Sequence, residues 1–139
     1  MAYSTERLEQ IFDRTSGYCH ICGTKLCFSN YGIFGTRGAW EVEHSRPRCE
    51  GGTDHLNNLY AAHIPCNREK RAICSRKARA RYGRAKAPLS PRRRSETKSN
   101  NAVAGGLLGG LLGSIAGPWG AVVGAVVGGK RGYDINPDD

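Results

Sequence analysis

Trp40-Glu41-Val42-Glu43-His44-Ser45-Arg46-Pro47-Arg48-Cys49-Glu50-Gly51-Gly52-Thr53-Asp54-His55-Leu56-Asn57-Asn58-Leu59-Tyr60, closing on His63-Ile64-Pro65-Cys66-Asn67-Arg68-Glu69-Lys70, decides the fold. Trp40, Val42 and His44 alternate with Glu41 and Glu43, the period of a short half-buried strand. Pro47 and Gly51-Gly52 end that strand and impose a loop of roughly a dozen residues, after which Leu59-Tyr60 can return as a second strand. From Cys66 onward Pro and Gly vanish until Gly83, so one helix is expected to begin near Pro65. The fold class is α+β: strand, loop, strand, helix. A carboxylate, Glu43, and an imidazole, His44, stand together at the end of the first strand.

Two residue pairs bracket this stretch. Cys19-His20-Ile21-Cys22-Gly23 lets two thiolates grip one ion from a tight turn, and His63-x-x-Cys66 supplies a matching pair. Four such ligands suit tetrahedral zinc, with sulfur at ~2.3 Å and imidazole nitrogen at ~2.0 Å. A redox Cys-x-x-Cys is the competing reading, but a second pair at ligand spacing favours zinc. Its role is structural, because a small core needs a staple. Cys27, Cys49 and Cys74 lack partners at ligand spacing and are expected to be free. His20 is set aside as a ligand because adjacent positions point apart.

The chain has 139 residues and a net charge of +9, which favours a polyanionic partner, nucleic acid or an anionic membrane. The charge is concentrated directly after Cys66. Arg68, Lys70, Arg71, Arg76 and Lys77 are the expected nucleic-acid contacts, with Arg79, Arg81, Arg84 and Lys86 beyond them. Met1-Ala2-Tyr3-Ser4-Thr5-Glu6 lacks the basic start and apolar segment of a secretory signal. The expected place of synthesis is therefore the cytoplasm, where paired cysteines point to metal rather than disulfides.

The combination Glu43-His44, Pro47, Gly51-Gly52, Asn58-Leu59, Cys66-Asn67 and Lys70 resembles the HNH endonucleases, whose fold is a ββα-metal finger. It is similar to the subgroup with Asn at the last motif position. The resemblance covers about residues 17–72. Glu43 stands where Asp is common, and His63 where Cys is common; a carboxylate oxygen and a ligand nitrogen are kept. The resemblance implies DNA as partner, His44, Asn58 and Asn67 as catalytic residues, and a divalent cation. His44 can accept a proton from water, since imidazole titrates near neutrality. Glu43 and Asn67 offer hard oxygen ligands to Mg²⁺ or another divalent cation. Asn58 is implied to fix the loop and the orientation of His44. Neighbours on an ideal strand face opposite sides, so the strand must end or twist for Glu43 and His44 to reach one phosphate. His55 is read as a solvated loop residue that can also touch phosphate.

Upstream, residues 4–15 carry Leu8, Ile11 and Phe12 on one helical face, with Ser4 or Thr5 as cap and Gly17 as stop. Residues 23–39 read as an irregular loop whose Tyr31, Ile33 and Phe34 mainly fill space. Downstream, residues 1–86 form the expected nuclease domain and 87–101 a disordered basic Pro-, Ser- and Arg-rich linker. Residues 102–131 form a glycine-rich hydrophobic segment and 132–139 an acidic tail. From Ala102 to Gly129 no charge appears, and Gly105, Gly109, Gly113 and Gly117 repeat every fourth residue. After Pro118 the repeat resumes at Gly120, Gly124 and Gly128. Such runs make a smooth helix face that admits another helix, and lipid rather than water tolerates them. The segment resembles glycine-zipper membrane sequences. Kinked at Pro118 the whole could cross a membrane once; folded back it would be a shallow helical hairpin, with Lys130-Arg131 at the headgroups. Contact with membrane lipid through residues 102–129 and self-association are the expectations.

The leading functional reading is therefore a metal-dependent DNA endonuclease with a membrane-interacting or oligomerising tail. Two settings suit it: a toxin delivered to another cell, or a phage or mobile-element nuclease. The alternatives are a non-catalytic zinc-ribbon nucleic-acid binder and a membrane-disrupting protein with a nucleic-acid-binding finger.

Overall fold

The computed structural model describes residues 3–135 and 137. The chain divides into two compact units, the first ending at Pro91 and the second beginning at Arg92.

In the first unit, β1 (Trp40–His44) and β2 (Leu59–His63) form an antiparallel pair with Trp40 opposite His63 and His44 opposite Leu59. Trp40 has no exposed surface and anchors the core. Its indole lies 5.1 Å from the Phe12 ring and 4.9 Å from Tyr31, and its Nε1 donates to the Phe28 carbonyl at 3.1 Å. Helix α1 (Thr5–Asp13) starts at Ser4, whose hydroxyl accepts from Arg7 N at 3.3 Å, and buries Ile11 completely. Gly17 follows at φ +72°, where a side chain would be strained and its Cβ would press into the Phe12 ring. Ile21, Leu26, Leu59, Ala61 and Ala62 complete the core beneath α1.

The loop before β1 corrects an expectation. Tyr31 packs on Trp40, but Ile33 is 50% and Phe34 64% exposed, so this loop does not mainly fill space. The pattern along β1 also departs from simple alternation. Glu43, on the face expected to meet water, is fully buried. The single helix expected after Pro65 is two: α2 (Ile64–Lys70) and α3 (Ser75–Arg81). The chain breaks at Arg71, at φ +50° and ψ −124°. Helix propensity would have carried one rod straight on. The turn instead brings Ser75 to the end of β1, where its amide donates to Ser45 O at 3.0 Å.

The second unit contains α4 (Pro91–Gly113) and α5 (Pro118–Asp134), joined by a short turn over Ser114–Ala116. Residues 91–101, expected within a disordered linker, are instead the first turns of α4. Pro91 suits a helix start, the following turns lack Gly, and Arg92 pairs with Glu96 at 2.8 Å one turn on. Of the expected acidic tail, Gly132–Asp134 lie in α5, and residues 136, 138 and 139 lie outside the described residues.

Because Trp40 is fully enclosed by rings from α1 and the preceding loop, Trp40→Ala should lower unfolding stability by about 3–5 kcal/mol. Denaturant titration of the zinc-replete protein checks this, and a loss under ~1 kcal/mol would contradict Trp40 as the core anchor.

Candidate active site and metal centre

Two clusters sit at opposite ends of the sheet. At the first, a turn brings Cys19 and Cys22 together. Gly23 N donates to Cys19 O at 2.9 Å, and Gly23 holds the left-handed φ of +75° that closes it. β2 ends at His63 and α2 carries Cys66 in its first turn, so both arrive from the other side. The ligand atoms of Cys19, Cys22, His63 and Cys66 all lie within 4.8 Å of one another. Tetrahedral zinc with sulfur bonds near 2.3 Å separates its ligands by about 3.8 Å, so the donor set and spacing fit that ion. His63 N also donates to Cys19 Sγ at 3.3 Å, a bond that a thiolate strengthens. The four groups compete for protons. The hydrogen bond from Cys19 drives the Cys22 thiol down and Cys19 up, and Cys19 with Cys22 pushes His63 to about 9. A divalent cation relieves that competition by taking every lone pair at once. His20, between the two cysteines, points elsewhere.

At the other end, β1 delivers His44 to the surface, with its side chain 17% exposed. The loop that follows is clamped by Asn58. Its Oδ1 accepts from Arg46 N at 2.8 Å, and its Nδ2 donates to Thr53 O at 2.9 Å and Arg46 O at 3.1 Å. Gly52 lies so close to the Arg46 carbonyl that no Cβ fits there. The clamped loop folds Asp54 over His44, with Oδ1 2.7 Å from Nε2. Arg48 Nη2 donates to the same Asp54 oxygen at 2.7 Å, and Arg48 Nε stands 3.1 Å from His44 Nε2. These bonds from His44 and then Arg48 hold the exposed Asp54 carboxyl below its ordinary pKa. Asp54 was not singled out from the sequence, where no spacing signal distinguishes it from the rest of the polar loop. His55, beside it, is exposed.

His44 and Asn67 line one surface concavity with Arg48, Cys49, Lys70 and Arg71. The structure thus brings His44 and Asn67 together, while Asn58 acts from behind on the loop. Arg68, Arg71, Arg76 and Lys77 are exposed, but Lys70 is only 4% exposed. Its Nζ donates to His44 O at 2.9 Å and lies 3.2 Å from Glu43 Oε1. That ammonium supports the backbone of the site instead of extending to solvent as a surface phosphate contact.

Glu43 stands furthest from its expected surroundings. Expected as an ion ligand with Asn67, it lies inside the domain with both oxygens engaged. Oε2 accepts from His20 Nδ1 at 2.9 Å, and Oε1 accepts from the Ser75 hydroxyl and faces Lys70. Burial raises its carboxyl pKa, but the hydrogen bond from His20, then Ser75 and the Lys70 charge, outweigh burial and hold it low. His20 is stacked on Tyr60 at 3.8 Å, and its Nε2 accepts from Arg79 Nη1 at 2.9 Å. Burial pulls the His20 pKa down, consistent with a neutral ring that donates from Nδ1. Asn67 meets a different carboxylate, donating from Nδ2 to Glu41 Oε1 at 3.0 Å. As arranged, Glu43 and Asn67 do not form a ligand pair; Glu43 can reach an ion only by releasing Lys70 or Ser75.

The family model of the HNH endonucleases matches residues 19–72, which include both clusters and the sheet between them. The match over that segment supports a nuclease or nucleic-acid-binding role. No curated protein and no solved structure matches the chain.

Two outcomes follow from the geometry. Cys22→Ser or Cys66→Ser should abolish stoichiometric zinc and unfold the first unit, because metal binding supplies folding free energy in domains this small; metal analysis and circular dichroism check it, and wild-type protein free of zinc would contradict it. Glu43→Ala should cost about 3–5 kcal/mol of stability, because it leaves the buried Lys70 charge unpaired. A Glu43→Ala protein as stable as wild type in denaturant would place Glu43 outside the interior network.

Proposed function

We propose that this chain, with an HNH domain at residues 19–72, is a metal-dependent endonuclease that hydrolyses DNA phosphodiester bonds. The observation that carries the reading is the concavity shared by His44, Asn67, Arg48 and Arg71. Phosphodiester hydrolysis needs a base for water and positive charge on the phosphate oxygens. His44 is the base. Arg48 and Arg71 are the charges within reach, and Asn58 keeps the loop that carries Arg48 against His44. Asp54 holds the seat between Arg48 and His44 that an anionic phosphate would contest. Arg68, Arg76 and Lys77 extend the positive surface along α2 and α3, where they can follow a DNA backbone.

The Cys19, Cys22, His63 and Cys66 cluster holds zinc in a structural role, closed by four protein ligands. The divalent cation of the reaction, Mg²⁺ or a similar ion, has Asn67 as its available ligand; when bound it supplies charge at the phosphate. The second unit contacts membrane lipid or a second copy. A toxin delivered to another cell and a phage or mobile-element nuclease both suit this pairing.

One observation favours the alternative of a non-catalytic zinc-stabilised nucleic-acid binder: the carboxylate expected at the ion is locked against Lys70 and Ser75. Plasmid nicking with and without chelator separates the two readings. His44→Ala should lower nicking by about 10²–10⁴-fold, the range a general base contributes, while DNA affinity stays near wild type. Wild-type-like nicking by His44→Ala would remove the catalytic assignment, and chelator-insensitive nicking would remove the catalytic metal.

A further inference from the structure

The glycine repeat of the second unit is consumed inside the chain. A Cβ placed on Gly105 would overlap the Gly128 carbonyl, and one on Gly132 would overlap that of Asn101. Gly109 and Gly124 stand in the same relation to each other in both directions. A Cβ on Gly110 would lie 3.6 Å from the Ala125 Cβ, and one on Gly129 3.3 Å from Ala102 O. The two antiparallel helices therefore meet backbone to backbone. The face that would admit a second copy through its glycines is already filled.

What remains outside is apolar. Leu107 is 67%, Leu108 63%, Leu111 71%, Leu112 73% and Ile115 88% exposed. On α5, Val122, Val123 and Val126 are 58%, 60% and 68% exposed. Adjacent positions on a helix lie about 100° apart, so the pairs at 107–108, 111–112 and 122–123 spread apolar surface over more than one side. A dimer interface would cover one face, and water tolerates contiguous apolar patches of only a few hundred Å². A surface without a polar side fits a solvent of hydrocarbon.

Charge and length select which hydrocarbon. No charged residue occurs between Lys98 and Lys130. Among the described residues, the cations Arg92, Arg93, Arg94, Lys98, Lys130 and Arg131 all sit toward the open end of the hairpin with the carboxylates Glu96 and Asp134, and Asp138 and Asp139 follow in sequence. Residues 102–113 rise about 18 Å as a helix, against a single leaflet of about 15 Å and a hydrocarbon core of about 30 Å. Among the described residues, no helix is long and apolar enough to cross a membrane. The turn at the closed end ties off its own polar groups. The Ser114 hydroxyl donates to Leu111 O at 2.7 Å, and Gly117 N to Ser114 O at 3.0 Å.

We infer that α4 and α5 form a wedge that enters one leaflet of an anionic bilayer, turn first, without crossing it. Ile115 and Leu112 sit deepest, and the cationic open end stays among the headgroups. This rests on reading residues 102–129 as the lipid-contacting part of the chain, and it specifies depth, topology and lipid charge.

The test uses the zinc-loaded full chain with phosphatidylcholine vesicles, with and without phosphatidylglycerol. Wild type should float with the anionic vesicles and bind the neutral ones less. Ile115→Asp and Leu112→Asp alter side chains that pack against little, so helicity by circular dichroism should hold. Their vesicle affinity should fall by about 100-fold, the effect of a carboxylate placed in hydrocarbon. On vesicle-bound wild type, trypsin added outside should still cut at Lys130 and Arg131; protection of those sites would mean a crossing segment and overturn the wedge. Wild type that ignores vesicles and forms dimers lost in Leu112→Asp would overturn it in favour of a second copy. Plasmid nicking keeps the readings apart: wild type that nicks but binds no vesicles sinks the wedge alone, and wild type that binds anionic vesicles but does not nick sinks the nuclease alone.

Discussion

The convergence of Cys19, Cys22, His63 and Cys66 comes before everything else in the first unit. Cys22 and His63 are 41 residues apart in sequence, yet their ligand atoms lie 3.5 Å from each other. Between them runs the sheet, the loop clamped by Asn58 and the aromatic cover of Trp40, none long enough to fold on its own burial. An ion that grips all four ligands fixes the start of the first turn relative to the start of α2. β1 and β2 then have one way to pair, and their far end presents His44. The Cys and His cluster and His44 are separated by the length of two five-residue strands.

A second layer of constraint is polar. Glu43 gathers His20 from the cysteine turn, Lys70 from the end of α2 and Ser75 from the start of α3. Three elements are thereby held at one carboxylate. Such a group is costly to bury and is kept only when its partners are complete. Here they are complete, and Lys70 passes the restraint to the His44 carbonyl. The His44 imidazole is thus positioned by its backbone on one side and by the Asn58 loop on the other.

Much of this was legible in the residues. Alternation placed β1 at Trp40–His44, and two ligand pairs at short spacing announced a four-ligand centre. The break at Arg71 was not legible, because every residue there tolerates a helix and the turn is imposed by where Ser75 must go. The burial of Glu43 was hidden for a similar reason. A carboxylate in an alternating strand signals solvent, and only the tertiary arrival of His20, Lys70 and Ser75 reverses that. Asp54 lies in a loop whose path depends on the Asn58 clamp, a three-bond arrangement that no periodicity encodes. The ordering of residues 91–101 escaped because linker-like composition and helix propensity pointed opposite ways, and the i,i+4 pair of Arg92 with Glu96 sided with the helix.

The reciprocal fit of Gly109 with Gly124 has a genetic corollary. At an ordinary core contact, an oversized replacement on one side can be suppressed by a smaller residue opposite. Here the opposite residue is already the smallest there is, and what it presents is its own carbonyl. Compensation is closed off within the pair, so each position drifts alone and almost nowhere. Suppressors of a defect there must arise where spacing between the helices is set, in the turn at Ser114–Ala116 or beyond the packed segment. The hairpin is tolerant in its apolar outer residues, which can trade identities freely, and rigid along a seam where glycine backbone meets glycine backbone.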